Sequence, residues 1–368
     1  RAYVERFGVG RLVGLLGSGD ASVQEWSIRA VWNTAASNSE NKDAFCSAGA
    51  AAAICKLLQS PVAVVQEKAA GCIYGLCFSS HLKSQDAFRD AGCVPLLVGL
   101  LSSSSADVQN WSSQAMLKLS EGHEVNAAAL CDAGAVGALA GVVSKGSGEA
   151  RKQACGALWG LVLGGGGGQG GVDAVEGLLG GDAEEGVKAG LEGLSAGVSG
   201  SEGKQRAYVE RFGVGRIVGL LGHGSAGVQA KACDAIRSLT VNCALNRDAF
   251  REGGVVEGLV RLLGSGDAVV QEWSVRAVWT TALSNVENKD AFVGAGAAAA
   301  ICKLLQSPVA VVQEKAAGCI YGICPHPKFD EALLAAGCVP LLVGLLSSSS
   351  ADVQRWSSQA MLELSKGH

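Results

Sequence analysis

Pairs of adjacent aliphatic residues recur along the chain, and each pair lies in a run of apolar positions with helical spacing. Successive pairs are 42, 43, 42, 36, 42, 42, 42 and 41 residues apart. A period near 42 residues predicts an array of helical repeats, because single units of this length cannot bury their apolar faces alone. The nine pairs are Leu15-Leu16, Leu57-Leu58, Leu100-Leu101, Val142-Val143, Leu178-Leu179, Leu220-Leu221, Leu262-Leu263, Leu304-Leu305 and Leu345-Leu346.

Every unit shows the same order of predicted elements. A short first helix is followed by a glycine, a second helix, a polar turn and a long third helix that begins with Val-Gln, as at Val23-Gln24. Asn41 suits the N-cap of a first helix, and Ser60 before Pro61 suits the start of a third helix. The glycines between the first two helices are expected to adopt a positive φ; they are Gly49, Gly92, Gly134, Gly254, Gly296 and Gly337.

Three helices per unit, the glycine between the first two, and third-helix stretches such as VQEWSIRAVWN from Val23 resemble the armadillo-repeat family. The resemblance implies an all-α, right-handed α-solenoid of about nine armadillo repeats, with three helices per unit of about 42 residues. Repeats 1–4 would occupy residues 1–163 and repeats 6–9 residues 206–368. Between them, residues 164–205 would form a short, glycine-rich fifth repeat that acts as a flexible seam.

A block of repeats occurs twice. The 28 residues from Ala48 to Gly75 are identical to those from Ala295 to Gly322, 247 positions later, and repeats 7–9 copy repeats 1–3. The stretch RAYVERFGVGR begins the chain at Arg1 and recurs inside the array at Arg206. Because solenoids normally end in polar capping units, we expect the chain to be a segment of a longer array.

The third helices carry the candidate site. With the valine of Val-Gln as position 1, positions 4, 7 and 11 share one stripe at 100° per residue, and the resemblance implies that this stripe faces a concave groove. Its six cations and two anions (Asp234, Glu363) sum to +4, whereas the whole chain carries −4. The predicted partner-binding residues are Trp26, Arg29, Asn33, Lys68, Trp111, Lys118, Lys231, Trp273, Arg276, Lys315 and Trp356.

Tryptophan and arginine in a groove are typical anchors of a binding surface. The alternative is that the position-4 tryptophans only fill the seams between repeats. Trp32, Trp159 and Trp279, at position 10, lie off the stripe and are expected to pack between units. Importin-α-type grooves use tryptophan at position 7 and asparagine at position 11; here position 7 has no tryptophan and only Asn33 keeps the asparagine. The sequence therefore resembles the adaptor type more than the import receptors.

Together these features favour a non-enzymatic scaffold or adaptor that binds extended, acidic and aromatic peptide segments of other proteins. Two alternatives stay open: a structural component of a large multiprotein assembly, and the substrate-recruiting arm of a larger enzyme such as a ubiquitin ligase. A long array of further repeats would favour the former, and a catalytic domain elsewhere in the protein the latter.

Composition narrows the functional classes further. The small net charge of −4 gives no basis for nucleic-acid binding, and no apolar run reaches the roughly 20 residues of a membrane-inserted helix. The 13 cysteines fall in apolar helical patterns and form no C-x-x-C pair, so we expect buried thiols, no metal site, and an intracellular reducing compartment, most simply the cytoplasm. No dinucleotide or phosphate motif has its required context, so no cofactor is expected.

Overall fold

The structure, a computed structural model, describes residues 8–146, 148–165, 168–181 and 183–366, which form 25 helices and no β-strand. The described residues up to Gly181 form one compact unit and those from 183 onward a second. The first unit contains α1 (Val9–Leu16), α2 (Ala21–Ala35), α3 (Ser39–Ser47), α4 (Ala50–Leu57), α5 (Ala63–Cys77), α6 (Leu82–Asp90), α7 (Cys93–Leu100), α8 (Ala106–Ser120), α9 (Glu124–Asp132), α10 (Ala135–Lys145), α11 (Gly148–Leu163) and α12 (Gly168–Gly180).

The second unit contains the remaining 13 helices. They are α13 (Glu184–Val198), α14 (Glu202–Phe212), α15 (Gly215–Leu220), α16 (Ala226–Thr240), α17 (Ala244–Glu252), α18 (Val255–Leu263), α19 (Ala268–Ala282), α20 (Val286–Gly294), α21 (Ala297–Leu304), α22 (Ala310–Ile323), α23 (Pro327–Ala335), α24 (Cys338–Leu345) and α25 (Ala351–Lys366).

The helices follow the predicted three-helix order, which confirms an all-α repeat solenoid. Third helices of consecutive repeats pack side by side: α2, α5, α8 and α11 in the first unit, and α13, α16, α19, α22 and α25 in the second. In the part of the chain that the structure describes, repeat 1 comprises α1 and α2, and repeat 5 comprises α12 and α13. Residues 1–7, 166, 167, 182, 367 and 368 of the predicted repeats lie outside the described residues, as does residue 147.

The border between the two compact units, after Gly181, falls within the predicted seam of residues 164–205. The predicted boundary between the seam and repeat 6, after residue 205, falls inside a helix. α14 begins at Glu202, four residues before the proposed start of repeat 6. Ser201 is the N-cap and its hydroxyl accepts a hydrogen bond from the Lys204 amide at 3.4 Å. The flexibility of the seam stays a prediction.

The glycines between first and second helices adopt the predicted left-handed conformation, with φ between 74° and 84° at all six positions. The predicted caps are wrong. The first helix of repeat 2 begins at Ser39 after Asn38, whose side chain accepts from the Asn41 amide at 2.9 Å, because Asn41 itself turns inward. The third helix α5 begins two residues after Pro61, with Val62 as N-cap and no side-chain cap.

Buried asparagines in the first helices join consecutive repeats. Asn288 Nδ2 donates to the carbonyl of Thr281, in the preceding third helix, at 2.7 Å and to that of Arg247, in the preceding first helix, at 3.1 Å. Asn126 and Asn246 make the same pair of bonds to carbonyls seven and 41 residues earlier. Each such bond contributes about 0.5–1.5 kcal/mol net, so these side chains help to fix the stacking of the repeats.

Of the 13 cysteines, 11 are buried. Burial raises the pKa of the Cys72 and Cys319 thiols well above the usual range, so these side chains behave as small apolar groups of the core. Among the described residues no single helix is long and apolar enough to cross a bilayer; Glu124–Asp132 and Ala135–Lys145, bent by 71°, meet the length and composition criteria only as a pair.

Candidate functional site

The predicted stripe residues lie on the third helices, and their tryptophans differ in exposure. Trp26 is 63% exposed; it lies in the first described repeat and, among the residues described, lacks the contact that Arg237 of the preceding repeat makes with its counterpart Trp273. Trp111, Trp273 and Trp356 are half-buried: these rings pack against neighbours and still present surface, and their contact with a partner stays a prediction. Trp159 is completely buried.

In the first unit an aromatic cluster spans three repeats. The rings of Trp32 (repeat 1) and Trp111 (repeat 3) meet edge to face, with centroids 5.0 Å apart and an interplanar angle of 82°. Tyr74 (repeat 2) also contacts Trp111, at 5.8 Å and 70°. We call Trp26, Lys68, Tyr74 and Trp111, which lie on α2, α5 and α8, the N-terminal aromatic surface.

Two glycines of α5 make room for this cluster. A Cβ atom added to Gly71 would lie 2.6 Å from Trp32 Cζ3, and one added to Gly75 would lie 2.5 Å from Trp32 Cδ1. Ordinary contacts of a Cβ begin near 3.4 Å, so any side chain at these positions would collide with the indole. Gly71 and Gly75, at positions 7 and 11 of repeat 2, therefore leave the space that the Trp32 indole of repeat 1 occupies.

The second unit repeats this arrangement. Trp279 and Trp356 meet edge to face at 5.8 Å and 78°, and Tyr321 contacts Trp356 at 5.6 Å and 62°. A Cβ atom added to Gly322 would lie 1.8 Å from Trp279 Nε1. We call Trp273, Lys315, Tyr321 and Trp356, which lie on α19, α22 and α25, the C-terminal aromatic surface.

Guanidinium groups stack on the position-4 rings. Arg29 Cζ lies 4.8 Å from the ring centroid of Trp26, and Arg276 Cζ lies 4.7 Å from that of Trp273. Arg237, from the preceding repeat, lies 5.7 Å from Trp273 as well. Each contact of this kind contributes about 0.5–1 kcal/mol at an exposed site and holds the indole in one orientation.

The expectation of a positively charged stripe is wrong, because all six cations have acidic partners. Arg29 pairs with Glu25 at 2.7 Å and Arg276 with Glu272 at 2.5 Å, one helical turn earlier. The other pairs are Lys68 with Glu67, Lys118 with Glu121 at 2.8 Å, Lys231 with Glu192 at 2.7 Å, and Lys315 with Glu314. The sequence count covered positions 4, 7 and 11 only and left out these glutamates. Asp234 and Glu363 have cationic partners in turn, Arg237 at 2.7 Å and Lys366 at 2.6 Å, so with all partners included the sum is 6 − 2 − 6 + 2 = 0.

The structure brings some predicted residues together and separates others. Trp26 and Arg29 are in contact, as are Trp273 and Arg276. Lys231 lies one repeat before Trp273, and Asn33 is exposed near the end of α2. Lys118 lies at the far end of α8, where its Nζ is 5.3 Å from the ring centroid of Phe78.

The sequence analysis missed four contributors to the aromatic clusters. Trp32 and Trp279 pack between repeats, as predicted, yet they also support the position-4 rings of the clusters, and Tyr74 and Tyr321 were not considered. The signal that could have found them is the pair of glycines at positions 7 and 11 of repeats 2 and 8. In a third helix, two glycines on one face indicate a large side chain from a neighbouring helix.

Two clefts between repeats are formed by described residues outside the aromatic surfaces. Clefts of about 590 and 550 Å³ lie at equivalent places between repeats 1 and 2 and between repeats 7 and 8. Their linings are mainly small residues with one lysine each, Lys56 and Lys303. Among the described residues no three His, Cys, Asp or Glu side chains are grouped so that they could hold a metal ion.

Comparisons with known proteins agree with this architecture. Residues 38–78 match the family profile described as Armadillo/beta-catenin-like repeat. The crystal structure of an engineered protein from the Northeast Structural Genomics Consortium is 30% identical over 98% of this chain and 89% of its own, with a TM-score of 0.58. No curated protein sequence matches significantly.

Two designed proteins share the fold. The designed armadillo repeat protein YIII(Dq.V1)4CPAF, solved in complex with the peptide (KR)4, is 21% identical over 74% of this chain and 99% of its own, with a TM-score of 0.51. The designed armadillo repeat protein YIII(Dq)4CqI is 22% identical over the same shares, with a TM-score of 0.52.

Proposed function

Because the chain belongs to the armadillo-repeat family, we propose that it is a protein-binding scaffold whose third helices hold extended peptide segments of partner proteins. The fold is typically non-enzymatic. A designed armadillo repeat protein is solved in complex with the peptide (KR)4, and we extend peptide binding to this chain. The proposal includes a reducing, intracellular location, supported by the burial of 11 of the 13 cysteines in the helical core.

The observation that carries the proposal is the state of the position-4 indoles. Trp273, which has a described repeat on either side, is half-buried and still presents surface, and both Trp26 and Trp273 are held in place by stacked guanidinium groups. A ring that is already oriented loses little conformational entropy when a partner covers it. Burying such a ring removes a large apolar area from water, which is why tryptophan is enriched among hot spots of binding.

The pairing of the cations decides what kind of peptide fits. An incoming carboxylate has to compete with Glu25 for Arg29 and with Glu272 for Arg276, so charge adds little to affinity. Each guanidinium still has five N–H donors, more than one glutamate can occupy, and these can orient an acidic residue. We therefore propose a peptide whose aromatic or apolar side chains supply the affinity and whose acidic residues set the register.

Binding of three synthetic peptide pools to the full chain tests this: acidic-aromatic, basic-aromatic, and acidic without aromatics. The acidic-aromatic pool should bind best, with a weak dependence on ionic strength because the cations are already paired. The double variant Trp26→Ala/Trp273→Ala should lose about 2 kcal/mol of binding free energy at each surface. Val286→Ala, an exposed apolar residue on the first helix α20, is the matched control and should bind like the parent chain.

The outcomes separate the parts of the proposal. If no pool binds, or if the double tryptophan variant binds as well as the control, the third-helix surfaces are not the binding site. If the basic-aromatic pool binds best, the acidic preference is wrong while the site stands.

A further inference from the structure

The two aromatic surfaces are copies of one site. Trp26, Lys68 and Tyr74 each recur 247 residues later, as Trp273, Lys315 and Tyr321. The fourth member, Trp111, recurs as Trp356, 245 residues later. One surface belongs to each compact unit, so each is complete without the other.

Several of their contacts also agree, although the edge-to-face tryptophan pairs differ, at 5.0 and 5.8 Å, and within the described residues only Trp273 has a second guanidinium, that of Arg237, beside it. The guanidinium-to-indole distances are 4.8 and 4.7 Å, and the tyrosine-to-tryptophan distances are 5.8 and 5.6 Å. In both surfaces the lysine of the middle repeat pairs with the glutamate that precedes it. In both, glycines at positions 7 and 11 of the middle repeat adjoin the indole of the repeat before it.

The copies differ at one end, where an ion pair is reversed. In repeat 3, Lys118 on the stripe pairs with Glu121 at 2.8 Å; in repeat 9, Glu363 on the stripe pairs with Lys366 at 2.6 Å. Phe78, which lies under Lys118, is replaced by Pro325 at the equivalent position. The four residues that define each aromatic surface are thus identical in type, while the stripe member of the flanking ion pair is a lysine in one copy and a glutamate in the other.

We propose that the chain is a two-site receptor for a partner polypeptide that carries two copies of one extended aromatic motif. This inference rests on the proposed function and adds valency to it. Binding of the first copy places the second at a high effective concentration, so a tandem partner gains about 10²–10⁴-fold in affinity over a single motif when its linker can reach both surfaces. Because the flanking ion pair is reversed, the two motif copies of the partner should carry opposite charges beside their aromatic residues. Each motif copy then prefers one of the two surfaces.

The probe is an alternating Asp-Phe peptide, used as a single copy and as two copies joined by Gly-Ser linkers of about 10, 30 and 60 residues. Calorimetry should find two single copies bound per full chain, because each compact unit carries one surface. Trp26→Ala and Trp273→Ala should each reduce the stoichiometry to one. The tandem peptide should bind at least about 100-fold tighter at one or more linker lengths, and either variant should remove that gain.

The flanking charges give a second, independent readout. With an Arg or a Glu added next to the motif, the two surfaces should show opposite preferences, measured separately in the Trp26→Ala and Trp273→Ala backgrounds. Exchanging the ion pair of repeat 3, Lys118→Glu with Glu121→Lys, reproduces the arrangement of repeat 9. It should make the two preferences equal while leaving the stoichiometry at two.

The outcomes are distinguishable from those of the proposed function. A stoichiometry of one, or a stoichiometry of two without any tandem gain at any linker length, overturns the two-site partner but leaves a peptide-binding scaffold. Equal flank preferences before the exchange overturn the preference of each motif copy for one surface. Absence of binding by both single and tandem peptides overturns the scaffold proposal together with this inference.

Discussion

Replacement of Gly71 by alanine tests whether the aromatic cluster decides the packing of repeats 1–3. The residue lies inside α5, between the indoles of Trp32 and Trp111. An alanine Cβ would lie 2.6 Å from Trp32 Cζ3 and 3.4 Å from Trp111 Cδ2. Gly156, at the same position of α11, is the matched control because a Cβ there meets no atom within 4 Å.

The expected magnitude combines two opposing effects. Alanine is better than glycine inside a helix by about 0.5–1 kcal/mol, and this gain applies to both variants. At Gly71 the indole of Trp32 would have to move, although Trp111 already packs against it edge to face at 5.0 Å. Overpacking of this kind costs about 1–3 kcal/mol. Gly71→Ala should therefore destabilise α5 by about 1 kcal/mol, whereas Gly156→Ala should stabilise α11 by about 0.5–1 kcal/mol.

Native-state hydrogen exchange is the appropriate assay, because a chain with two compact units need not unfold in one step. The protection of amides in α5 and α11 gives the opening free energy of each helix separately. The difference between the variants cancels the helix propensity and isolates the cost of displacing Trp32. Trp32→Leu should relieve the strain that Gly71→Ala introduces. If Gly71→Ala raises the opening free energy of α5 as much as Gly156→Ala raises that of α11, the close packing of Trp32 on Gly71 is refuted.

Two further predictions concern local stability. Burial, and then the charge of Lys42, lowers the pKa of His81, which caps α6 through a hydrogen bond from the Ser84 amide. The folded state therefore binds this proton less readily than the unfolded state. The cap stabilises the folded state fully above the ordinary pKa of about 6.5, and this stabilisation is lost as pH falls through the lower folded pKa. The loss is at most the ~1 kcal/mol that an N-cap contributes. Hydrogen exchange of α6 amides should show this loss in the parent chain between pH 7.5 and pH 5, which lie about one unit or more on either side of the ordinary pKa. The variant His81→Asn, which copies the caps Asn38 and Asn285, should not show it. Equal pH dependence in both chains would contradict the prediction. Limited proteolysis should cut first between Gly164 and Gly203, because the glycines inside α12 and α13 weaken those helices; first cuts within the identical segments at Ala48 to Gly75 or Ala295 to Gly322 would place the weak point elsewhere.

Much of the fold could be predicted because its determinants are local. The spacing of aliphatic pairs gave the repeat length, since each second helix needs one apolar face toward its neighbours. The glycines at Gly49 and Gly296 had to adopt positive φ, because the turn between two helices leaves no other conformation there. Burial of Trp159 at position 10 agrees with the predicted packing between units, whereas the half-buried Trp32 and Trp279 at the same position do not differ in burial class from most position-4 tryptophans.

Part of the charge error was avoidable. Glu25 and Glu272 precede their arginines by four residues, a spacing at which side chains on one helix meet, so those two pairs could have been read from the sequence. The pair between Lys231 and Glu192 could not, because its members come from different repeats. Counting the charge of one stripe ignores residues on neighbouring stripes, although long side chains from those stripes can pair with it.

The sequence by itself determined the repeat, the order of helices within it and which side of each helix is apolar, because these depend on periodicity along one helix. The tertiary structure decided which residues of different repeats meet: Trp32 on Gly71 and Gly75, and Asn288 on the carbonyls of two earlier helices. Those contacts depend on how far apart and at what register the helices pack, and that is set by the fit of all their side chains together.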